Sequence, residues 1–291
     1  MTLPLSGIMT AGMINVELGK AATAAGTLND TDWRDLADVP SGVIRYSDFY
    51  GKTAGGGPPP PATDPMFAWV RLLAHLDYQA GGGNYFNNAS GNTSAVMSLG
   101  ANTGFRTDTP VKWGGVHYFN GATTTPGILT ASPQASFDLN VTYWTMEMYY
   151  YEQAGSFGSL HSHRSGNTNG WALKTSAFMA NINGAWSETQ LSWAQPALDV
   201  FHHIALVKDG SNLRAYIDGT LVDSLGGVST IQYEGGNANV LYGGSSYYNV
   251  PSNRFIGRVD DIRWTASATE PGAARYSADF TPPTGPFPDS A

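Results

Sequence analysis

Residues 201–222, FHHIALVKDGSNLRAYIDGTLV, show the clearest alternation of side-chain type in the chain. Period-two alternation divides the first half between two faces, one with Phe201, His203, Ala205 and Val207 and the other with His202, Ile204, Leu206 and Lys208. Both faces are mostly apolar, as in a strand from the middle of a sheet. Asp209-Gly210 and Asp218-Gly219 favour short turns. The segment therefore predicts two strands joined by a tight turn and closed by a second turn.

Short apolar runs separated by Gly, Asn and Ser clusters continue from Phe67 to the end of the chain. They predict further strands at residues 68–76, 116–119, 145–151, 171–174, 240–242 and 258–264. In the third of these, Met146, Met148 and Tyr150 alternate with Glu147, Tyr149 and Tyr151. Many short strands without a long helix predict a two-sheet sandwich, whose Pro-rich C-terminal tail is not an interior strand.

Residues 1–52 differ from this pattern and contain too few apolar side chains to form an independent core. We expect them to need a partner surface, the alternative being a poorly ordered leader. Residues 53–63, TAGGGPPPPAT, predict a linker that joins a flexible glycine run to a stiff proline rod. The domain therefore begins at residue 64 and continues to residue 291.

Charge and cysteine content exclude several function classes. Lys, Arg, Asp and Glu make up 13% of the 291 residues, the formal net charge is -8, and there is no cysteine. An acidic chain lacks the clustered cations that bind nucleic acid, and a chain without cysteine has neither disulfides nor thiolate metal sites. No signal peptide or membrane-spanning run is evident. We therefore expect assembly in a cytoplasm, with no nucleic-acid partner and no membrane insertion.

Three motifs resemble those of laminin-G-like domains with the concanavalin A-type jelly-roll fold. Residues 201–222 resemble the W-H-H-V-A, D-G, L-Y-V-D-G hairpin of that family, with Phe201 in place of Trp. YWTMEMYYY at 143–151 resembles its F-T-I-E-F-W strand, and GRVDDIRW at 257–264 resembles its G-x-I-D-D-L-R strand. The resemblance implies an all-β, two-sheet antiparallel jelly roll over residues 64–291, preceded by a small irregular assembly segment.

Two other stretches resemble tailed-bacteriophage virion proteins. They are the N-terminal pattern I-N-x-E-L-G, S-L-N-D, L-A-x-V-P-S-G and S-D-F-Y-G-K, from which this chain departs with Thr27 in place of Ser and in its variable middle, and the ending ARYSADFTPPTGPFP at 274–288. The resemblance implies a virion-surface protein of tail or capsid, assembled in the host cytoplasm in multiple copies. It also implies that residues 1–52 contact other virion proteins, through the apolar side chains of Ile14, Val16, Leu18, Trp33, Leu36, Phe49 and Tyr50.

The acidic residues give no pattern typical of a glycanase, which needs two carboxylates flanking the scissile bond. The six glutamates never form the E-x-D-x-E motif of jelly-roll glucanases, and Glu147 matches a structural Glu of the laminin-G-like family. We therefore expect no enzymatic activity and no catalytic residue.

Metal binding is a second candidate chemistry. His161, His163, His202 and His203 are candidate ligands, although hydrogen-bonded or surface histidines explain them as well. No organic cofactor is expected. The laminin-G resemblance leaves calcium open, with Asp77, Asp218 and Asp260 as candidate ligands at turns or strand ends.

Aromatic residues in polar loops are the best candidates for glycan binding, since rings flanked by amides can stack on sugars and bind their hydroxyls. These residues are Trp171, Trp186, Trp193, Tyr247 and Tyr248. The main hypothesis is an adhesin on the phage tail or capsid that contacts host glycan. The alternative is a structural protein that decorates or cements the particle and has no ligand.

Overall fold

A computed structural model of the protein consists of two compact units, Met1–Ala62 and Thr63–Ala291. The structure describes residues 10–17, 21–23, 33–34, 37, 43, 45–46, 64–76, 85–87, 96–99, 103–106, 110, 112–113, 116–120, 129–132, 138–156, 159–163, 170–232, 240–244 and 255–288. Among them, no helix reaches the length and apolarity that crossing a membrane requires.

The first unit contains the helix α1, Ala11–Glu17. Ile14 and Trp33 have no exposed surface, whereas Val16 is 41% exposed. Of the residues predicted to attach the chain to a virion, Val16 is therefore the one accessible to a partner among those described. The other four, Leu18, Leu36, Phe49 and Tyr50, lie outside the described residues.

The second unit is built from two antiparallel sheets, which confirms the predicted all-β sandwich. The first sheet has the order β14-β13-β12-β7-β16-β5-β4, with β1 also paired to β16. The second has the order β11-β10-β9-β8-β15-β6-β3-β2. The strands are β1 Val70–Ala74, β2 Tyr85–Asn87, β3 Val96–Leu99, β4 Thr103–Arg106, β5 Val116–Asn120, β6 Leu129–Ser132, β7 Tyr143–Glu152, β8 Ser159–His163, β9 Trp171–Leu173, β10 Ala177–Ile182, β11 Ala185–Ser192, β12 Phe201–Asp209, β13 Asn212–Ile217, β14 Thr220–Leu225, β15 Val240–Gly244 and β16 Ile256–Ser267.

The predicted hairpin lies in the middle of the first sheet. Strand β12 pairs with β7 on one side and β13 on the other, as its two apolar faces indicate. Its turn is Gly210-Ser211 rather than Asp209-Gly210, because Asp209 still pairs with Asn212. Only Gly210 has a positive φ there, whereas both Asp218 and Gly219 do in the next turn. The second turn therefore follows the predicted sequence, and the first is displaced by one residue.

The main core lies between the sheets. Met146, Met148 and Tyr150 of β7 and Ile204 and Leu206 of β12 point into it, as their alternation predicts. The second sheet contributes, among others, Leu160, Trp171, Leu173, Phe178, Ala180 and Leu191. The side chains on the opposite faces of β7 and β12 point away from the second sheet and pack in separate clusters.

The C-terminal tail covers the outer face of the first sheet. Tyr276 and Phe280 pack on Ala205, Val207 and Tyr216. Farther along the tail, Phe287 packs with Tyr149, whose hydroxyl donates to the carbonyl of Pro283. The tail forms no strand, in agreement with its proline content. It makes the outer face of the sheet a second buried layer.

The start of the domain differs from the sequence expectation. Residues 68–76 were expected to form one strand, but Phe67–Trp69 is a short 3-10 helix and the strand is Val70–Ala74. An oxygen of Asp64 accepts the N–H of Met66, and the carbonyl of Asp64 accepts that of Phe67. This local turn delays the strand until Val70.

Candidate functional site

A cleft of about 490 Å³ opens beside the first residues of β12. Three segments line it: residues 193–196 after β11, His202 on β12, and Ile217, Asp218 and Val222 around the β13–β14 turn. Of the five aromatic residues predicted to bind glycan, Trp193 is the one found in this lining. We call this site the Trp193 cleft.

Hydrogen bonds fix the Trp193 ring in position. Its indole N–H donates to the carbonyl of Thr175 at 2.8 Å, and its backbone N–H donates to the carbonyl of Ser176 at 3.0 Å. The ring also packs on the main core and is partly buried. Trp193 therefore gives the cleft a rigid aromatic wall.

The His202 imidazole lies in contact with two protein oxygens. Its Nδ1 is 2.6 Å from Oδ2 of Asp218, and its Nε2 is 3.0 Å from the carbonyl of Ala197. The other oxygen of Asp218 accepts the backbone N–H of His203 at 2.8 Å. Although both of its oxygens are engaged, the Asp218 side chain is 50% exposed and still presents lone pairs to the cleft.

Gln195 completes the polar rim of the cleft. Its amide nitrogen is 2.6 Å from Oε2 of the buried Glu152 and 3.3 Å from the hydroxyl of Thr175. The amide nitrogen therefore lies beside two oxygens of the protein, and the Thr175 hydroxyl is also 3.3 Å from the amide oxygen. Like Trp193, this side chain is held in one orientation before any ligand arrives.

The buried phenol of Tyr150 lies next to His202 of the cleft. The Tyr150 ring lies 5.8 Å from the His202 ring, centroid to centroid. Burial raises the pKa of Tyr150, and the carboxylates of Glu152 and Asp218 raise it further. Both carboxylates therefore lie close enough to the Tyr150 phenol to disfavour its ionisation.

The other predicted glycan-binding residues lie elsewhere. Trp171 has no exposed surface and packs in the main core, so its ring is not accessible to a sugar. Trp186 is on β11 and does not line the cleft, while Tyr247 and Tyr248 lie outside the described residues. His202 was predicted only as a candidate metal ligand, and Gln195 was missed, because a single Gln beside a strand has no distinctive sequence signal.

Of the described metal candidates, only His202 and Asp218 have side chains in contact, in the Trp193 cleft. His202 and His203 point to opposite faces of β12, and His161 is buried in the core beside Trp171 and Trp264. Asp260 is also buried, where it accepts the N–H of Trp113. No cluster of three or more potential metal ligands occurs among the described residues, and Asp77 lies outside them.

Glu147 lies on the outer face of the first sheet, in a closed ionic network. One of its oxygens accepts two hydrogen bonds from Arg263, at 2.8 and 2.9 Å. The other is 3.2 Å from Nε2 of His203 and accepts the Tyr276 hydroxyl at 2.8 Å. Asp64 joins Arg263 to Arg275 of the tail. We call these six residues the Glu147 network; all of its carboxylate oxygens bind protein groups, as in a structural site.

The family comparison agrees with this fold. Residues 130–272 match a family model described as the concanavalin A-like lectin/glucanases superfamily. This confirms the predicted laminin-G-like, concanavalin A-like jelly roll. A comparison with curated protein sequences finds no match.

Solved structures with a similar fold share little sequence with the chain. The binding domain of Paraclostridial Mosquitocidal Protein 1 aligns with a TM-score of 0.50 at 12% identity, over 72% of this chain and 51% of that one. The binding domain of botulinum neurotoxin serotype D gives 0.50 at 9% identity, over 72% and 51%. Domain 4 of an extracellular arabinanase from Geobacillus stearothermophilus, in complex with arabinotriose, gives 0.47 at 13% identity, over 70% and 96%. The chain thus spans about half the length of the two toxin domains.

Proposed function

We propose that the concanavalin A-like unit Thr63–Ala291 is a glycan-binding domain and that the Trp193 cleft is its sugar site. The observation that carries the proposal is the fixed Trp193 ring beside an exposed carboxylate in one cleft. A sugar presents an apolar C–H face and a ring of hydroxyls, and such a ligand needs an aromatic surface with adjacent polar groups.

Preorganisation supports this assignment. The Trp193 ring and the Gln195 amide are both held by hydrogen bonds within the protein. Binding therefore orders few side chains, which lowers its entropic cost. The family model, described by the words lectin and glucanases, agrees with a carbohydrate ligand.

Substitution of Trp193 tests the site. In the full-length chain, Trp193→Ala should weaken retention on immobilised host-surface polysaccharide by about tenfold or more, since an aromatic anchor carries a large share of binding energy. Trp186→Ala is the matched control, because Trp186 is also partly buried but lies on β11 outside the cleft. Near-ultraviolet circular dichroism checks that both variants stay folded.

Two results would contradict the proposal. If Trp186→Ala abolished retention and Trp193→Ala left it intact, the sugar site would lie on β11. If no polysaccharide bound even a multivalent display of the protein, the domain would not be a lectin.

We further propose that this domain is an adhesin on a tailed-phage particle, attached through residues 1–52 to other virion proteins. The resemblance of residues 14–52 and 274–288 to phage virion proteins supports this role. Electron microscopy of a gold-labelled copy on the particle should place it at the tail or capsid surface. Absence of the label from assembled particles would refute the virion role and leave the glycan site unaffected.

A purely structural role is the second candidate. Leu198 and Val200, in the segment between the cleft loop and β12, are 41% and 50% exposed. Exposed apolar side chains of this kind suit a contact with another protein. A protein that bound no glycan, and whose Leu198→Ser, Val200→Ser variant failed to enter particles, would support this decoration or cement function.

We propose that the protein has no catalytic activity, since the buried carboxylates of the Glu147 network are all bound by groups of the protein itself. Purified protein should release no reducing ends from host polysaccharide. A release of reducing ends that Glu147→Gln abolished, while circular dichroism showed the variant still folded, would show that the protein is an enzyme.

A further inference from the structure

We infer that the Trp193 cleft selects glycans without acidic groups, with Asp218 as the specificity-determining residue. The inference rests on the proposed glycan-binding function and adds the charge class of the ligand. It follows from the hydrogen-bonding groups that the cleft leaves available to a ligand.

The side-chain donors of the cleft are already engaged by the protein. The indole N–H of Trp193 donates to Thr175, and the amide nitrogen of Gln195 lies against Glu152 and Thr175. His202 has an oxygen beside each ring nitrogen. The remaining lining side chains, Ala194, Pro196, Ile217 and Val222, carry no polar group. An acidic ligand group therefore meets no free side-chain donor among these described residues.

The acceptors of the cleft, by contrast, remain accessible. The Asp218 carboxylate lines the cleft and is 50% exposed. Ionised carboxylates offer about four lone-pair sites, more than the two contacts that Asp218 makes. A sugar hydroxyl donates readily to such an oxygen. The cleft thus suits ligands that donate hydrogen bonds.

The charge around the cleft points the same way. No Lys or Arg is among the described residues that line it. Glu152 is in contact with Gln195, and Asp199 donates its N–H to the carbonyl of Glu152 at 2.9 Å. A uronate, sialate or sulfate placed here would face the Asp218 carboxylate and would find no Lys or Arg in the lining to pair with. A protonated His202 would already be paired with Asp218, and unpaired like charges disfavour binding.

The test compares glycans in matched pairs on the full-length chain. Each pair contains an acidic oligosaccharide and its neutral counterpart, made by removing sialic acid or by methyl-esterifying uronic acid. In every pair that binds to the protein, we expect the neutral oligosaccharide to have at least about tenfold higher affinity than its acidic counterpart. Raising NaCl from about 20 to about 500 mM should narrow this ratio, since salt screens exposed charges.

Asp218→Asn isolates the carboxylate. Asparagine tolerates the positive φ of 50° at this turn position and keeps an oxygen for the His203 N–H. The variant should reduce the neutral-to-acidic ratio at least about threefold. Asp209→Asn is the matched control, since Asp209 is also an exposed carboxylate on the hairpin but lies at the far end of β12, and it should leave the ratio unchanged.

The outcomes separate this inference from the proposed function. If acidic members bound as tightly as their neutral counterparts, in a manner that Trp193→Ala abolished, the selectivity would be refuted and the lectin function would stand. An unchanged ratio in a folded Asp218→Asn variant would refute the role of Asp218. If neither member of any pair bound, the glycan-binding function itself would be refuted.

Discussion

Glu147 has no exposed surface and binds groups from three separate segments of the chain. Arg263 of β16, His203 of β12 and Tyr276 of the tail contact it directly, and Asp64 joins the same arginine. A buried charge is tolerated only when it is paired and hydrogen-bonded. Removing one member therefore leaves another charge uncompensated.

Glu147→Gln should reduce the free energy of unfolding by about 3–5 kcal/mol, because the buried Arg263 guanidinium loses the closer of its two carboxylate partners. The control is Asp209→Asn, which removes an ion pair whose partners are 37% and 19% exposed and should cost less than about 1 kcal/mol. Urea denaturation at pH 7 measures both. Equal losses would show that the Glu147 network contributes no more than a surface pair.

The same carboxylate predicts the acid stability of the fold. Burial alone would raise the pKa of Glu147, but Arg263 and the hydrogen bond from His203 outweigh it and hold the pKa well below its usual range. A lowered folded-state pKa contributes stability that is present above the unfolded value of about 4.3 and is lost as pH falls below it. The wild-type free energy of unfolding should therefore fall more steeply than that of Glu147→Gln below about pH 4.5. Parallel curves from denaturation between pH 7 and pH 3 would contradict this.

The two turns of the central hairpin differ in what surrounds them. Gly210 has a φ of 63° with open space around it, whereas a Cβ on Gly219 would lie 1.9 Å from the carbonyl oxygen of Phe280. That oxygen belongs to the backbone of the tail. The backbone N–H of the same residue, Phe280, donates to the carbonyl of Gly219 at 2.9 Å. The second turn is thus a docking point for the tail.

Gly210→Ala should cost roughly 1–2 kcal/mol of folding free energy, from its left-handed conformation alone. Gly219→Ala should cost more, since the tail must also move off the sheet. Chemical denaturation compares the two variants, and limited proteolysis tests whether cleavage after residue 280 accelerates only in Gly219→Ala. Matching losses without faster cleavage would mean that the tail adapts to the added methyl group.

Element by element, the strands of the first sheet were easier to predict than those of the second. β7, β12 and β16 are long and rich in β-branched and aromatic residues. Their buried faces follow from alternation, apart from one bulge in β16 where Asp261 adopts a φ of 50°. β10 and β11 were missed, because the Asn-Gly turn between them lies in a weakly alternating sequence.

At the scale of the whole molecule, Asp64 connects the start of the domain to its end. It binds Arg275 with both oxygens, at 2.9 and 2.7 Å, and Arg263 at 3.2 Å. It lies at the second residue of the compact unit Thr63–Ala291. The stability of a domain fragment therefore depends on whether the fragment includes Asp64.

A fragment of residues 63–291 should unfold cooperatively with a stability close to that of the full chain. A fragment of residues 66–291 should lose about 3–5 kcal/mol, because Arg263 and Arg275 lose their shared carboxylate. Asp64→Asn in the full chain serves as the control and should reproduce most of that loss. Two fragments of equal stability would show that Asp64 is dispensable.

Local pattern determined the central hairpin, the two faces of β7 and β12 and the sandwich architecture, because alternation and Asp-Gly turns act over a few neighbouring residues. Motif order added the jelly-roll family. Tertiary structure decided which aromatic residues are accessible: Trp171 and Trp193 both follow polar segments, yet the opposing sheet buries the first and a loop edge exposes part of the second. It also assembled the cleft from positions up to 29 residues apart, Trp193 to Val222. Burial and proximity depend on how the sheets stack, and no local signal in the sequence carries that information.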